Sequence, residues 1–195
     1  LVSKPVVPPW NDSSKNLARD VAEGMRRHAP RVFSPSDATW RPSRGSIEVL
    51  GRAGSWPSSA AQLGVLRHLA IGARADIWHF LFAPNPKTST AARGLARLRG
   101  VPTVQSICSR PRDLSRAARL LFADRNVALS RATEEALLGA GARGVVRIAP
   151  AVPPLEPPGA PARALARQRF GIPADAPLIV YPGDLEFGAG AERVI

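Results

Sequence analysis

Five consecutive residues, Asn11-Asp12-Ser13-Ser14-Lys15, bring together an amide, a carboxylate, two hydroxyls and an ammonium. Leu17, Val21 and Met25 follow at a spacing of four, so this polar run stands at the start of a helix. Helix-start N–H groups beside a lysine suit a phosphate or the hydroxyls of a sugar. The same residue types also suit an ordinary capping loop. His79 lies in an apolar strand pattern over residues 76–82 and is read near its carboxyl end, where an imidazole serves as a base or hydrogen-bonding group at a cleft, or sits satisfied in the core. Cys108 offers a thiol with no identifiable base, which is also how a buried cysteine reads. Ser130 and Arg131 open another helical pattern, where a cap is the simpler role.

Other chemistries lack their signatures. The chain has no GxxxxGK[ST] phosphate loop, and no GxGxxG follows its first strand pattern. His28, His68 and His79 are the only histidines and Cys108 the only cysteine, so neither metal-ligand spacing nor a disulfide framework is present. The net charge of +12 comes from 27 Lys and Arg against 15 Asp and Glu. All but Lys4, Lys15 and Lys87 of those basic residues are Arg, in a chain also rich in Ala, Gly and Pro. That bias reads as a solvated basic surface with a secondary use toward anionic partners. No basic block or aromatic RNA-binding motif accompanies it, so a nucleic-acid-binding module is the weakest reading.

The elements that must position these residues alternate. Strand patterns fall at 1–7, 31–34, 47–50, 76–82, 102–107, 126–129 and 145–149. Between them lie helical stripes of Leu17, Val21 and Met25 with Ala18 and Ala22 beside them on the same face, then Leu63, Leu66 and Ala70, then Ala91, Leu95 and Leu98. Thr88 is placed to cap the third of these after a loop over 83–87, and a short basic helix is expected at 114–122. Alternation of this kind predicts βαβ units on a parallel sheet. Six prolines between Pro150 and Pro161 then mark a stiff linker, and a helix over 162–170 and a strand over 178–181 open a second α/β unit. The expected division is 1–155 for the first domain, 156–176 for linker and helix, and 177–195 for the beginning of the second. Leu1 in place of Met and a final helical turn without a stop signal suggest a piece of a longer protein.

The order of the motifs resembles the N-terminal half of the retaining glycosyltransferases of family 4, which have the GT-B fold. The segments that carry the resemblance are VSKPVVPPWNDSSKNLARDVA, ADIWHF, VPTVQSICS, ADRNVALSRATEEALLGAGA, VVRIAPAVPPL and RQRFGIPADAPLIVYPGDLEFGAGAE. The resemblance implies a Rossmann-like, doubly wound parallel sheet for the acceptor domain, with the start of a second α/β domain for the donor. It implies transfer of a sugar from a nucleotide-sugar, with retention and without a metal or other cofactor. The acceptor would be a glycan or lipid-linked sugar of a bacterial envelope. The place of work would be the cytoplasm, with peripheral contact at an anionic inner-membrane face. Asn11, Asp12, Ser13, Ser14 and Lys15 match the loop that closes over phosphate and acceptor. His79 matches the family histidine, and Gly183 a glycine on the donor side.

The chain departs from the family pattern at several positions. Asn-Asp-Ser-Ser stands where a Gly-Gly pair is usual, and Cys108 where a histidine is usual. Pro150-Ala151 replaces Asn-Gly, while Asp184 and Ala189 occupy positions that are usually basic. The glutamates of the donor domain would lie past residue 195, so the 195 residues alone are expected to be inactive. A non-catalytic α/β ligand-binding domain, including a degenerate transferase, is the alternative.

Overall fold

A computed structural model describes residues 1–10, 12–72, 74–81, 86–108, 111, 113–115, 117–150 and 156–180. It divides into two compact units, Leu1–Ala151 and Val152–Ile195.

The first unit is built on seven parallel strands: β1 (Val2–Ser3), β2 (Arg31–Ser34), β3 (Ser46–Val49), β4 (Trp78–Leu81), β5 (Thr103–Ile107), β6 (Arg125–Ala128) and β7 (Val145–Arg147). Their order across the sheet is β3-β2-β1-β4-β5-β6-β7. Between the strands run helices α1 (Ser13–Gly24), α2 (Ser59–Ile71), α3 (Pro86–Arg99), α4 (Ala117–Leu120) and α5 (Arg131–Gly139). This is the Rossmann-like, doubly wound α/β sheet, whose winding reverses between β1 and β4. Alternation of side chains along each strand divides the core in two. On one face, Val2, Phe33, Trp78 and Phe80 pack with Val65 and Leu69 of α2 and Ala92 and Ala96 of α3. On the other, Val6 and Val32 meet Ala22 of α1, with Trp10 and Trp40 at the margin.

Helix α1 turns Ala18 and Ala22, expected beside its apolar stripe, to the sheet, whereas α2 and α3 bury faces offset from the stripes expected. Ser14, Ala18 and Ala22 are the buried positions of α1, Ala61, Val65 and Leu69 those of α2, and Ser89, Ala92 and Ala96 those of α3. Leu63 and Leu98, expected in the core, are 65% and 80% exposed. Small side chains let a helix axis approach the strands closely, so packing distance outweighs the leucine spacing.

Three other expectations shift. Strand pairing in β1 stops at Ser3, because Pro5 has no N–H to donate; Val6 makes one isolated bridge to Ala38. Helix α3 begins at Pro86, so Thr88 lies inside it and is no cap, and Lys87 belongs to the helix rather than to a loop. Helix α4 has only four residues, since Asp113 accepts from the Ser115 N–H at 2.8 Å and holds the preceding chain in a turn.

Gly45 supports the turn into β3. Its φ is +89°, and a Cβ there would stand 1.9 Å from the Pro30 carbonyl oxygen. Because the clash is with backbone, no side chain can yield. Gly45→Ala is expected to cost about 2 kcal/mol, read as a lower denaturation midpoint in urea.

The second unit contains α6 (Ala160–Arg169), whose Arg167 guanidinium donates to the carbonyls of Pro173 and Ala176. Residues 178–180, expected to begin a strand, pair with no strand among the described residues and are exposed. A strand needs a hydrogen-bonded neighbour, and apolar character alone does not supply one.

Candidate functional site

In an open parallel sheet, the crevice for ligands lies beyond the carboxyl ends of the strands where the winding reverses. Here that place is the end of β1 beside β4. Lys4 follows the last residue of β1, and its Nζ lies 2.6 Å from Asp12 Oδ2. Asp12 is also the N-cap of α1: its Oδ1 accepts from the N–H of Ser14 at 2.8 Å and of Lys15 at 3.4 Å. Burial alone would raise the Asp12 carboxyl; the Lys4 hydrogen bond and charge, helped by Ser14, outweigh burial and hold it below 3.8. Lys15 Nζ donates to the Val7 carbonyl at 3.1 Å. Its partner there is neutral, so the ammonium charge is not cancelled by that bond.

The chain after β2 closes the other side. Ser36 Oγ donates to Asp37 Oδ2 at 2.6 Å, and the Gly54 N–H donates to the same oxygen at 3.0 Å. These bonds, the Ser36 bond foremost, hold the Asp37 carboxyl below its ordinary value. Lys4, Asp12, Lys15, Ser36, Asp37 and Trp56 line a cavity of about 350 Å³, together with Pro5 and Val7. Two cations and two ionised carboxylates converge there, an arrangement suited to a polyhydroxylated ligand bearing phosphate.

The expected site residues fare differently. Asp12, Ser14 and Lys15 come together at the start of α1, and Ser13 is its exposed first residue. Asn11 and Gly183 lie outside the described residues, as do Asp184 and Ala189. The helix-start N–H groups expected to meet phosphate are occupied in part, since Asp12 takes those of Ser14 and Lys15. The lysine side chain is left as the principal donor to an anion.

His79 does not end its strand. Residues Phe80 and Leu81 of β4 follow it, and its Nε2 lies 2.9 Å from the Oγ of Ser106 on β5. Burial drives its pKa from 6.5 down to about 4, so the ring is neutral near pH 7. Cys108 lies against Ser14, and burial raises its thiol, the opposite of what a nucleophile needs. Ser130 is a cap: its Oγ accepts from the Thr133 N–H at 3.1 Å. No group of His, Cys, Asp and Glu among the described residues could hold a metal ion. No helix among them is long and apolar enough to cross a membrane.

Lys4, Ser36, Asp37 and Trp56 were not anticipated from the sequence. The first three had a readable signal, since Lys4 follows the apolar residues of β1 and Ser36-Asp37 follow those of β2, at the strand ends where ligands bind. Trp56 had none, because its distance from Lys4 in the chain hides their proximity.

No protein-family model and no curated protein sequence matches the chain. Solved structures do. The crystal structure of Anabaena Alr3699/HepE in complex with UDP matches with a TM-score of 0.57 at 14% identity, over 87% of this chain and 49% of that one. The same protein with UDP and glucose matches with a TM-score of 0.56 at 18% identity, over 87% and 49%. Its complex with UDP-glucose gives 0.54 at 15%, over 87% and 48%. The likeness shows the fold. The chain spans about half the length of the solved protein it matches.

Proposed function

We propose that this chain is the acceptor-side part of a retaining glycosyltransferase of family 4, which moves a sugar from a nucleotide-sugar to a glycan or lipid-linked acceptor. The observation that carries the reading is the charged cavity at the β1/β4 reversal of the sheet. The motif order supports it. So does the fold it shares with a protein crystallised with UDP and with UDP-glucose. In this reading Lys15 faces the negative charge that grows on the leaving diphosphate, and Asp12 fixes the loop by capping α1 and binding Lys4. Ser14 and Asn11 complete the loop, and Gly183 belongs to the donor side. His79 acts at a distance from the cavity, as a positioning residue that holds Ser106 in β5.

The test is a panel of nucleotide-sugars incubated with the complete protein and candidate acceptors, followed for nucleotide release and for product heavier by one sugar. Release and product together are expected. Neither appearing with any donor would sink the reading. Because the charge on the diphosphate is met by lysine in this account, EDTA is expected to leave the rate within about twofold. A loss reversed by added Mg²⁺ or Mn²⁺ would refute metal independence.

A second reading is binding without turnover, favoured by Asp184 and Ala189 at positions usually basic in the family. Saturable UDP binding with no product would select it.

A further inference from the structure

A second cavity of a different character opens beside the charged one. It lies between α2 and α3 at the end of β1 and β4, with a volume of about 150 Å³. Val65, Leu69, Phe80 and Ala92 form its walls and are all buried. The pocket opens to solvent at its rim, and its volume is that of a group the size of benzene. Lys4 and Trp56 border both cavities, so the two chambers meet at those side chains.

We propose that the acceptor is an aryl glycoside, with its aromatic ring between α2 and α3 and its sugar in the charged chamber. This rests on the sugar-transfer reading and names the acceptor class for it. Trp56 on the rim offers an aromatic face, which favours an aromatic ring over a branched alkyl group of equal volume. Trp56 presents an apolar indole body at the junction, a surface for the C–H face of a sugar. Beyond it the Asp37 carboxylate accepts from sugar hydroxyls, while Lys15 is left to the donor's diphosphate.

Calorimetric titration of the full chain with phenyl, methyl and decyl glucosides tests the proposal. The phenyl glucoside is expected to bind about 10- to 100-fold more tightly than the methyl glucoside, from burial of the ring. Leu66→Trp, which fills the chamber from its half-buried rim, should abolish that preference while methyl glucoside binding stays the same. Ala92→Val should reduce it, which keeps the test decisive if the larger substitution unfolds the chain. Equal affinities, undetectable phenyl glucoside binding, a tighter decyl glucoside, or a preference that survives in both folded variants would each overturn it. No donor is present in the titration, so the result stands apart from the transfer assay. Turnover restricted to acceptors without an aryl group would sink this proposal and leave sugar transfer intact.

Discussion

Lys15→Ala is expected to lower kcat by about 100- to 1,000-fold with little change in the acceptor's KM, the loss typical when one donor to a developing anion is removed. The magnitude follows from how the other cationic groups are employed. Lys4 is bound to Asp12 at 2.6 Å, and the Ser14 and Lys15 N–H groups are directed at the same carboxylate. Lys15 Nζ holds only the neutral Val7 carbonyl, which an incoming phosphate can replace. The substitution leaves α1 with its Asp12 cap, so circular dichroism and the thermal midpoint should be unchanged. Lys15→Arg keeps the charge and should restore part of the rate. Wild-type turnover in the alanine variant would remove Lys15 from the mechanism.

The second large effect is on stability in acid. Burial lowers the His79 pKa to about 4, while the unfolded chain takes up its proton near 6.5. Between those values the unfolded state binds more protons than the folded state, so stability rises with pH. The favourable contribution is therefore complete above about 6.5 and is lost as pH falls toward 4, by about 3 kcal/mol in total. His79→Gln retains a hydrogen-bonding group for Ser106 and cannot titrate. Urea denaturation from pH 7 to pH 4 should show the wild-type stability falling more steeply than the variant's by about this amount. Parallel curves would mean that His79 is hydrated and titrates normally. A fall in transfer rate at pH 7 in the same variant, with unchanged stability there, would support its positioning role.

Much of the fold was legible because strands buried on both faces read as short apolar runs bounded by turn residues. Residues 31–34 and 102–107 show this, and β2 and β5 lie there. Asp12 was legible as a loop residue because carboxylate, hydroxyls and a helical repeat occur in immediate succession. Its bond to Lys4 was not, because it depends on the path of the chain through Pro5, Pro8 and Pro9. Ala18 and Ala22 were legible beside the stripe of α1, but the face of α3 was misread because leucine spacing reports hydrophobicity, whereas contact with the sheet there is made by Ala92 and Ala96. His79 was misplaced along its strand because apolar residues on both sides give no signal of where pairing ends. The junction at Trp56 is tertiary in origin: the residues around it come from three separate loops, and no local pattern joins them.

The central claim is transfer of sugar from a nucleotide to an acceptor with its anomeric configuration kept. The most direct measurement is a proton NMR time course of a panel of α-linked nucleotide-sugars with the complete protein and an acceptor, following the donor's α-anomeric signal. Loss of that signal with growth of an α-linked product is the result predicted. A β-linked product, or a donor signal that persists unchanged with every sugar, would contradict it.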